Sequence, residues 1–537
     1  MARMANGSYV VYSRDPHLAA IGFVWNPLMS VLDIVPLLAR GLWSPLATHD
    51  MAGAIVSALC MVGAVHQIRS ALREWGLGRA PRLILVVLFA LNPMIVFYAA
   101  NGMTEALYIF TLVATARYLS RWLRSDDLHS LAYAGAFLGL CYLARNEGAA
   151  PAFAAAVVVL AVSRHRASGP KRSRNMTALT ETAVFISPFA ASFGGWAMVS
   201  FIITGQPFGQ FSSQYGTAQI AASGFVTPTF SSGLRFEAHV IEYMAPLLPL
   251  IVLLALALAW RRKDPLVVVP VATVGAGLAF DVAAFLTGGL LPSYRYWITA
   301  IPLEALLAGV VLAPGRRVQG RGGLGIVDSA ADRSLGAGFW TRPGVAKRAA
   351  LGAVSVLTAV VLVVPSLATT WMGMFSKPYG NEETAALGFI FHRHLTPLDR
   401  AAKDHYAAVL AISGYIAHLH LRDGSVVVDN FSTCAPETIV TSADPRVFVI
   451  PNDRDFQRIL ADPLLFHTHY LLVPKPVGVN TLVATNRAYP SLYDTGAGFT
   501  TLAHQFPERG LCPPMRLYRV FSHPSDVTQQ QAGGFGQ

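Results

Sequence analysis

Long apolar runs separated by short basic connectors fill the first two thirds of the chain, and this alternation restricts its fold more than any other feature. Only 13% of the residues are charged and 53% are hydrophobic, whereas a soluble domain carries about a quarter charged residues. A helix needs about 20 apolar residues to cross a bilayer. The sequence therefore predicts an α-helical polytopic protein of the cell membrane. Ten runs are candidate spans, at 48–68, 82–100, 103–121, 129–145, 149–163, 180–203, 241–260, 266–287, 297–313 and 346–371.

Basic residues are distributed unevenly over the connectors between these runs. The connectors at 69–82, 117–128, 164–179, 261–265 and 314–348 hold 22 arginines and lysines, whereas the connectors between them hold three. Because basic connectors stay in the cytoplasm, the N-terminal stretch and the C-terminal third are expected to be extracytoplasmic. The same connectors account for the net charge of +11. No RNA-binding motif accompanies that charge, so nucleic acid is not expected as a partner.

The stretch before the first run, residues 1–47, is predicted to form an amphipathic loop on the outer face. Within it, residues 20–43 are apolar but contain Pro27, Asp33 and Pro36. Prolines interrupt a helix. We therefore expect a broken segment that lies along the membrane surface.

After the last apolar run, short apolar strands replace the helical pattern. Strands are predicted at 425–429, 446–450, 470–474 and 516–521, with a helix over 453–466. Strands around a helix in this order indicate a small α/β domain. Beyond the first loop, the chain is thus divided into a transmembrane domain at 48–372, an extracytoplasmic α/β domain at 373–524 and a disordered tail at 525–537.

The four cysteines fall into two pairs by location. Cys60 and Cys141 lie within apolar helices and are interpreted as inert core residues. Cys434 and Cys512 lie in the predicted extracytoplasmic domain, where disulfides persist. We predict a disulfide between them, and two unpaired thiols are the alternative.

Ionisable residues recur where the predicted helices end on the outer face. The segment LARNEGA places Arg145 and Glu147 between two helices, Glu105 begins another helix, and Arg295 stands between two tyrosines. Ionisable groups at membrane depth are costly, so they usually face a cavity and have partners. Carboxylates there can supply a base or hold a metal, and arginines can bind phosphate bidentately.

Each of these residues also has a structural interpretation, which the sequence leaves open. Glu105 at a helix start is favoured by the helix dipole alone. Arg145 and Glu147 can form a local ion pair, and Arg295 between tyrosines can anchor the membrane interface. Asp15 precedes a proline, which is typical of a turn.

Four further polar residues belong to later helices. Asp281 and Glu304 lie inside apolar runs and are interpreted as structural. His239 and Glu242 lie about one helical turn apart, so a two-ligand metal site is a minor alternative there. No cofactor is assigned, although a divalent cation is left open.

Four segments, in order, resemble the GT-C superfamily of polyprenyl-phosphate-sugar-dependent glycosyltransferases, near its protein O-mannosyltransferase and aminoarabinose-transferase branch. They span most of the transmembrane half. The segments are SRDPHLAAIGFVWNPLMSVL, NPMIVFYAANGMTEALYIF, YLARNEGA and YRYWITAIP.

The resemblance implies an outward-facing active site, in which a lipid-phosphate sugar enters between helices and the transfer inverts. It implies that Glu105 is a catalytic carboxylate and that Arg145 and Arg295 bind the donor phosphate, with Glu147 orienting Arg145. A preorganised arginine stabilises the charge that develops on the leaving phosphate, and the acceptor hydroxyl needs a positioned carboxylate. Tyr294 and Tyr296 flank Arg295 and are assigned to the same phosphate site.

The first outer loop departs from the family pattern. In the family it follows a transmembrane helix and begins with acidic residues, whereas here the earliest acids are Asp15, Asp33 and Asp50. Asp15 is taken as the candidate base of this loop, with His17 in support. We expect the DNA upstream of Met1 to encode one more apolar helix ending in an acidic residue, which gives eleven helices.

The predicted function is a membrane glycosyltransferase that moves a hexose or pentose, such as mannose or arabinose, from a polyprenyl-phosphate donor. The acceptor is an extracytoplasmic glycan, lipid or protein. One alternative is a transporter or flippase of lipid-linked material, although such proteins usually contain internal repeats, and the sequence shows none. The other alternative is a catalytically inactive GT-C-like protein, which follows if the first loop lacks its acid.

Overall fold

The computed structural model describes residues 2–212, 229–314, 345–376 and 378–525. The predicted disordered tail, apart from its first residue, and most of the basic connector at 314–348 lie outside these residues. Helices dominate the first three ranges. They are α1 (Ala2–Tyr12), α2 (Leu28–Leu37), α3 (Pro45–Thr48), α4 (Met51–Glu74), α5 (Arg79–Ala90), α6 (Pro93–Tyr98), α7 (Glu105–Ser125), α8 (Leu128–Ala144), α9 (Ala149–Arg166), α10 (Lys171–Thr204), α11 (Gly209–Ser212), α12 (Phe230–Met244), α13 (Leu248–Arg262), α14 (Pro265–Leu286), α15 (Tyr294–Leu312) and α16 (Val345–Met374).

Among the described residues, six helices are long and apolar enough to cross a membrane, or seven if α12 and α13 count as one bent span. The chain is therefore a membrane protein built from apolar helices, as predicted, while the count of ten spans stays a prediction. Two predicted spans are not continuous helices. The run at 82–100 divides into α5 and α6, and the run at 241–260 includes the bend of 78° between α12 and α13.

Prolines explain both interruptions. Pro93 begins α6, and the side chain of Asn92 caps that helix by accepting a hydrogen bond from the Met94 amide. Proline has no amide hydrogen to donate, so it suits the first turn of a helix and interrupts a longer one. Pro246 lies between α12 and α13 and has the same effect.

The helices pack around one large apolar core, and small residues bring some of them unusually close. At Gly135 of α8, an added Cβ atom would lie 2.2 Å from the Phe185 carbonyl oxygen of α10. Glycine thus permits an approach of α8 and α10 that any side chain would block, which is a common device between membrane helices.

The N-terminal segment contains more helix than the predicted loop. Helices α1, α2 and α3 occupy much of residues 2–48. Pro36 lies in the last turn of α2, so the segment is broken as expected. Met4, Ala5 and Tyr9 of α1 are buried in the same core as the C-terminal sheet. The first segment therefore packs against the C-terminal domain.

The C-terminal part is an α/β domain, as predicted. Its strands are β1 (Val426–Val428), β2 (Phe448–Val449), β3 (Tyr470–Pro474), β4 (Thr500–Phe506) and β5 (Met515–Val520). They form one mixed sheet in the order β2-β1-β3-β5-β4, with parallel pairs on β1 and antiparallel pairs on β5. The helices are α17 (Asn381–Phe391), α18 (Pro397–His418), α19 (Ala435–Thr441), α20 (Phe456–Ala461), α21 (Ala484–Ala488) and α22 (Leu492–Thr495).

Three details of this domain differ from the sequence expectation. Strand β4 was not predicted, because it is a mostly exposed edge strand without an apolar pattern. Helices α17 and α18 were not predicted either. The helix expected over 453–466 is shorter, since α20 ends before Pro463.

The predicted disulfide between Cys434 and Cys512 is confirmed, with 5.6 Å between the two Cα atoms. It lies in a small apolar cluster with Ala408 and Val409 of α18. The bridge therefore connects the start of α19 and the β4–β5 hairpin beside one helix. Cys60 and Cys141 are free thiols.

Candidate active site

The segment LARNEGA forms the centre of a buried charge network. Arg145 follows α8 directly, and its guanidinium donates to two carboxylates: Nη1 to Glu105 Oε1 at 2.8 Å and Nη2 to Glu147 Oε1 at 2.5 Å. Glu105 is 1% exposed and Arg145 is 9% exposed. The pair is therefore more than a local contact, because Arg145 also connects to a helix 40 residues earlier in the chain.

Arg295 reaches the same carboxylate from α15. Its Nε atom lies 3.8 Å from Glu105 Oε1, and its Nη1 atom lies 3.3 Å from Glu382 Oε2 of α17. The ring of Tyr296 lies between the two arginines, with its centroid 5.2 Å from the Arg145 Cζ atom and 5.3 Å from that of Arg295. An aromatic face attracts cations, so Tyr296 helps to hold like charges close together.

A third arginine, Arg3 of α1, belongs to the same network. Its guanidinium carbon lies 4.4 Å from the centroid of the Trp25 ring. Arg3 is half-buried and interacts electrostatically with Glu105, Arg145 and Arg295. We call Arg3, Glu105, Arg145, Glu147 and Arg295 the Glu105 cluster.

Each arginine of the Glu105 cluster retains a buried nitrogen without a hydrogen-bond partner among the described residues. These atoms are Nη1 of Arg3, Nε of Arg145 and Nε of Arg295. Buried donors in folded proteins are nearly always satisfied. Three unsatisfied donors in one place therefore indicate a site for an anion, and guanidinium groups fit phosphate especially well.

Further carboxylate groups lie in or close to the Glu105 cluster. The Oε2 atom of Glu105 is buried and has no hydrogen-bond partner among the described residues. Asp50 stands just before α4, and its Oδ2 atom lies 2.8 Å from where a Cβ atom of Gly102 would be. Gly102 has φ of +69°, so it suits both this close approach and the left-handed backbone. Asp33 of α2 is fully buried and is electrostatically close to Asp50.

The two tyrosines beside Arg295 have different surroundings. Tyr296 packs on the arginines, whereas Tyr294 points away from them and its Oη atom lies 2.4 Å from the position of a Gly373 Cβ atom. Near it, Tyr98 Oη donates to Glu383 Oε1 at 2.6 Å. Burial raises the pKa of Glu383 to about 7. The predicted phosphate role thus has geometric support at Tyr296 and none at Tyr294.

Asp15 and His17 lie outside the Glu105 cluster, against the C-terminal domain. Asp15 Oδ2 accepts from Arg454 Nε at 3.0 Å and from the Arg454 amide at 3.1 Å. The hydrogen bond from Arg454 lowers the pKa of Asp15 to about 2. His17 Nδ1 lies 2.7 Å from the Asp15 carbonyl oxygen. These contacts describe a joint between two parts of the chain.

Arg14 adds to the same joint with the charges reversed, since here the N-terminal segment supplies the arginine and the C-terminal domain supplies the carboxylates. Its Nε donates to Asp453 Oδ2 at 3.1 Å, and its two Nη atoms donate to Asp455. We call the pairs of Arg14 and Asp15 with residues 453–455 the Arg14–Asp15 contact.

Asp281 is buried near the cluster and interacts electrostatically with Arg145 and Glu147. Glu304 is fully buried in α15, next to Ser366 of α16. Both positions are consistent with the structural interpretation.

Among the described residues, one group of three potential metal ligands occurs, formed by His405, Cys434 and Cys512. The two sulfur atoms are bonded to each other, so thiolate ligands are absent there. His239 lies near the ring of Tyr379 and belongs to no such group.

Sequence reasoning missed Arg3, Asp50 and Glu382 as members of the site. Arg3 lies in a helix of the predicted N-terminal loop, Asp50 precedes a helix far from Glu105 in sequence, and Glu382 lies in the first turn of an unpredicted helix. One signal was available in the sequence. Ionisable residues near the outer ends of membrane helices are candidates for a functional site wherever they occur.

Comparison with solved structures shows a similar fold. The structure of ArnT from Cupriavidus metallidurans bound to undecaprenyl phosphate matches with a TM-score of 0.51 and 14% identity, over 97% of this chain and 93% of that chain. The chain thus shares the overall fold of this ArnT structure.

A second similar structure is the archaeal oligosaccharyltransferase AglB from Archaeoglobus fulgidus in complex with an inhibitory peptide and a dolichol-phosphate. It matches with a TM-score of 0.37 and 12% identity, over 88% of this chain and 64% of that chain. No family model matches the sequence, and no curated protein matches it.

Proposed function

We propose that this protein is a polytopic membrane glycosyltransferase that transfers a sugar from a polyprenyl-phosphate donor to an extracytoplasmic acceptor. The sugar is a hexose or pentose such as mannose or arabinose. The distribution of basic connectors supports an active site and a C-terminal domain on the outer face. The GT-C fold, shared with ArnT bound to undecaprenyl phosphate, supports the class of donor.

The observation that carries the proposal is the set of unsatisfied guanidinium donors around Glu105. Arg3, Arg145 and Arg295 come from three separate elements, and each retains one unpartnered buried nitrogen. A lipid phosphate supplies several acceptor oxygens and a negative charge at one point. It therefore satisfies all three donors together, as a neutral ligand does not.

The arginines also suit the chemistry of transfer. When the bond between the anomeric carbon and the phosphate oxygen breaks, its electron pair stays on the phosphate. Fixed guanidinium groups stabilise that developing charge without reorganisation. The acceptor oxygen attacks the opposite face of the anomeric carbon, so a single displacement inverts the configuration.

We place the base at Glu105. Its Oε2 atom has no hydrogen-bond partner among the described residues, so it can take the proton of the acceptor hydroxyl. The donor phosphate and the Glu105 carboxylate compete for the same guanidinium groups. Donor binding is therefore coupled to the release of Glu105 for its role as base. Asp15 is held by Arg454 and is a poorer candidate.

The test uses purified protein in lipid nanodiscs. Binding of undecaprenyl phosphate is measured first. Transfer of radiolabelled mannose or arabinose from its undecaprenyl-phosphate carrier to an envelope extract is measured second. Arg295→Ala should weaken lipid-phosphate binding at least about tenfold, because hydrogen bonds to a charged group contribute about 1.5–3 kcal/mol each. Glu105→Gln should lower transfer by about 10²–10⁴-fold.

Arg235→Ala is the matched control, since Arg235 is an exposed arginine outside the cluster. It should change neither measurement. Lipid-phosphate binding that is insensitive to Arg295→Ala would overturn the donor site. Binding without any transfer by the wild-type protein would favour a flippase or an inactive GT-C-like protein.

A further inference from the structure

A cavity of about 670 Å³ lies between the N-terminal segment and the C-terminal domain. Three parts of the chain form its walls. They are residues between 2 and 25, the end of α10 with the turn that follows, and the loops after β1 and β2. Its size is that of a small-molecule site, and none of the Glu105 cluster lines it.

Aromatic side chains form one side of this cavity. Phe23, Trp25 and Phe431 all line it. Phe23 is stacked on Trp196, with 5.0 Å between the ring centroids, which fixes its orientation. Flat apolar faces of this kind match the C–H faces of sugar rings.

Amide groups and a carboxylate form the other side. Asn430 Nδ2 donates to Asn452 Oδ1 at 2.7 Å, and Asn452 Nδ2 donates to the Ala20 carbonyl oxygen at 2.7 Å. Glu437 is half-buried, and its carboxylate accepts no hydrogen bond from the described residues. Carboxylate and amide groups together accept from and donate to hydroxyl groups.

Among the described residues that line the cavity, no cation is free to pair with an anionic ligand. Its basic lining residues among those described are Arg454 and His17. Arg454 is bound to Asp15 on the side chain and the main chain, and His17 contacts the same residue. A phosphate or carboxylate ligand would meet Glu437 and Asp453 without a free positive partner. The charge pattern therefore favours a neutral polyhydroxylated ligand.

The cavity shares a wall with the Glu105 cluster. Ala2 and Asn6 of α1 line the cavity, while Arg3 between them interacts with Glu105. Trp25 lines the cavity and also packs against the Arg3 guanidinium. The contact between Trp25 and Arg3 thus connects the cavity wall with the proposed reaction centre.

We propose that this cavity binds a neutral carbohydrate segment of the acceptor and presents its hydroxyl group toward Glu105. This inference rests on the proposed function and names the acceptor class for the same site. Phe23, Trp25 and Phe431 stack on the sugar rings, and Glu437 accepts hydrogen bonds from ring hydroxyls.

The experiment uses the full-length protein in lipid nanodiscs and saturation-transfer NMR. The probes are neutral tetrasaccharides of mannose, glucose, galactose and arabinose, with tetragalacturonate as an anionic saccharide of the same length. At least one neutral tetrasaccharide should bind, and tetragalacturonate should bind at least tenfold more weakly. Glu437→Ala should weaken the neutral probe at least tenfold, because its acceptor atoms are lost.

Glu508→Gln is the matched control, since Glu508 is an exposed carboxylate of the same domain outside the cavity. It should leave saccharide binding unchanged. Failure of all four neutral probes to bind would overturn the inference. Equal binding after Glu437→Ala would also overturn it. A neutral Ser/Thr-rich peptide that binds in a Glu437-dependent way, in place of the saccharides, would overturn it in favour of a peptide acceptor.

Undecaprenyl phosphate binding, measured on the same wild-type sample, separates this inference from the proposed function. Lipid-phosphate binding without saccharide binding rejects the carbohydrate site and leaves the donor site standing. Saccharide binding without lipid-phosphate binding supports the carbohydrate site and rejects the proposed donor.

Discussion

The Glu105 cluster and the Arg14–Asp15 contact use the same chemistry, arginine against carboxylate, with opposite results. In the cluster, Glu105, Arg145 and Glu147 are buried, Arg3 and Arg295 are half-buried, and three guanidinium nitrogens have no partner among the described residues. In the contact, Arg14 donates from all three of its nitrogens. Arg454, opposite Asp15, is 73% exposed.

This difference separates the proposed binding site from a structural joint. Desolvated charges with unmet donors are unfavourable unless a ligand or a fixed network compensates them. In the contact, every guanidinium nitrogen of Arg14 has a carboxylate partner and Arg454 is solvated, so its arginines need no further anion. Sequence motifs around Asp15 and Arg145 gave similar reasons to suspect function, and only the degree of pairing distinguishes them.

The largest expected effect concerns Arg145. Arg145→Ala leaves Glu105 and Glu147 buried without their shared cation, which costs about 3–5 kcal/mol of unfolding free energy. Transfer should fall by at least about 10²-fold, as expected for loss of one oxyanion-type donor group. Thermal unfolding in detergent and the radiolabel assay measure the two effects.

Arg145→Lys serves as its control for folding, because it keeps the charge but loses the fork of donors. It should recover most of the stability and little of the transfer. A fully active Arg145→Lys protein would contradict the bidentate role.

The next effect concerns the disulfide of the C-terminal domain, which forms one side of the Arg14–Asp15 contact. The disulfide between Cys434 and Cys512 spans 78 residues in sequence, so reducing it should cost about 4 kcal/mol in the chain-entropy treatment. Unfolding of the C-terminal domain with and without dithiothreitol measures this effect. The double variant Cys434→Ser/Cys512→Ser should not respond to the reductant. A wild-type protein that does not respond either would contradict the prediction.

A smaller effect depends on pH within the same contact. Burial raises the pKa of Asp453 to about 6 from 3.8, although Arg14 partly opposes the shift. A raised folded-state pKa contributes stability that is present below pH 4 and is lost as the pH rises through about 6. The pKa of Asp15 is lowered to about 2, so its contribution is constant above pH 4 and is lost only as the pH falls toward 2.

The melting temperature of the wild-type protein should therefore fall between pH 4 and pH 7 relative to Asp453→Asn, which lacks the titrating group. The two proteins are compared across this range at one salt concentration. A relative rise of the wild-type melting temperature with pH would contradict the sign.

The smallest effect concerns Asp15. Asp15→Asn should change the unfolding free energy by about 1 kcal/mol or less, because Arg454 is solvated and salt screens the pair. Transfer should stay within about threefold of the wild type, whereas loss of a general base lowers it by about 10²–10⁴-fold. A loss of that size with an unchanged melting temperature would assign the role of base to Asp15. It would also contradict the interpretation of the Arg14–Asp15 contact as purely structural.

Local composition determined the class of protein. Apolar runs of spanning length indicate which segments lie in the bilayer, and the asymmetry of the basic connectors indicates which connectors face the cytoplasm. Neither inference requires knowing which helices contact each other. The α/β character of the C-terminal domain and its disulfide were predictable for the same reason, since apolar strands and paired cysteines are local signals. The edge strand β4 was not, because its pattern is polar.

The composition of the site was decided by the tertiary structure. The sequence indicated Glu105, Arg145 and Arg295 as separate candidates, but their meeting at one carboxylate depends on how α7, α8 and α15 pack. Arg3 joins them only because α1 folds back between the membrane helices and the C-terminal sheet. Burial and pairing are properties of the assembled fold, so the same arginine–carboxylate chemistry forms the proposed ligand site at Glu105 and a joint at Asp15.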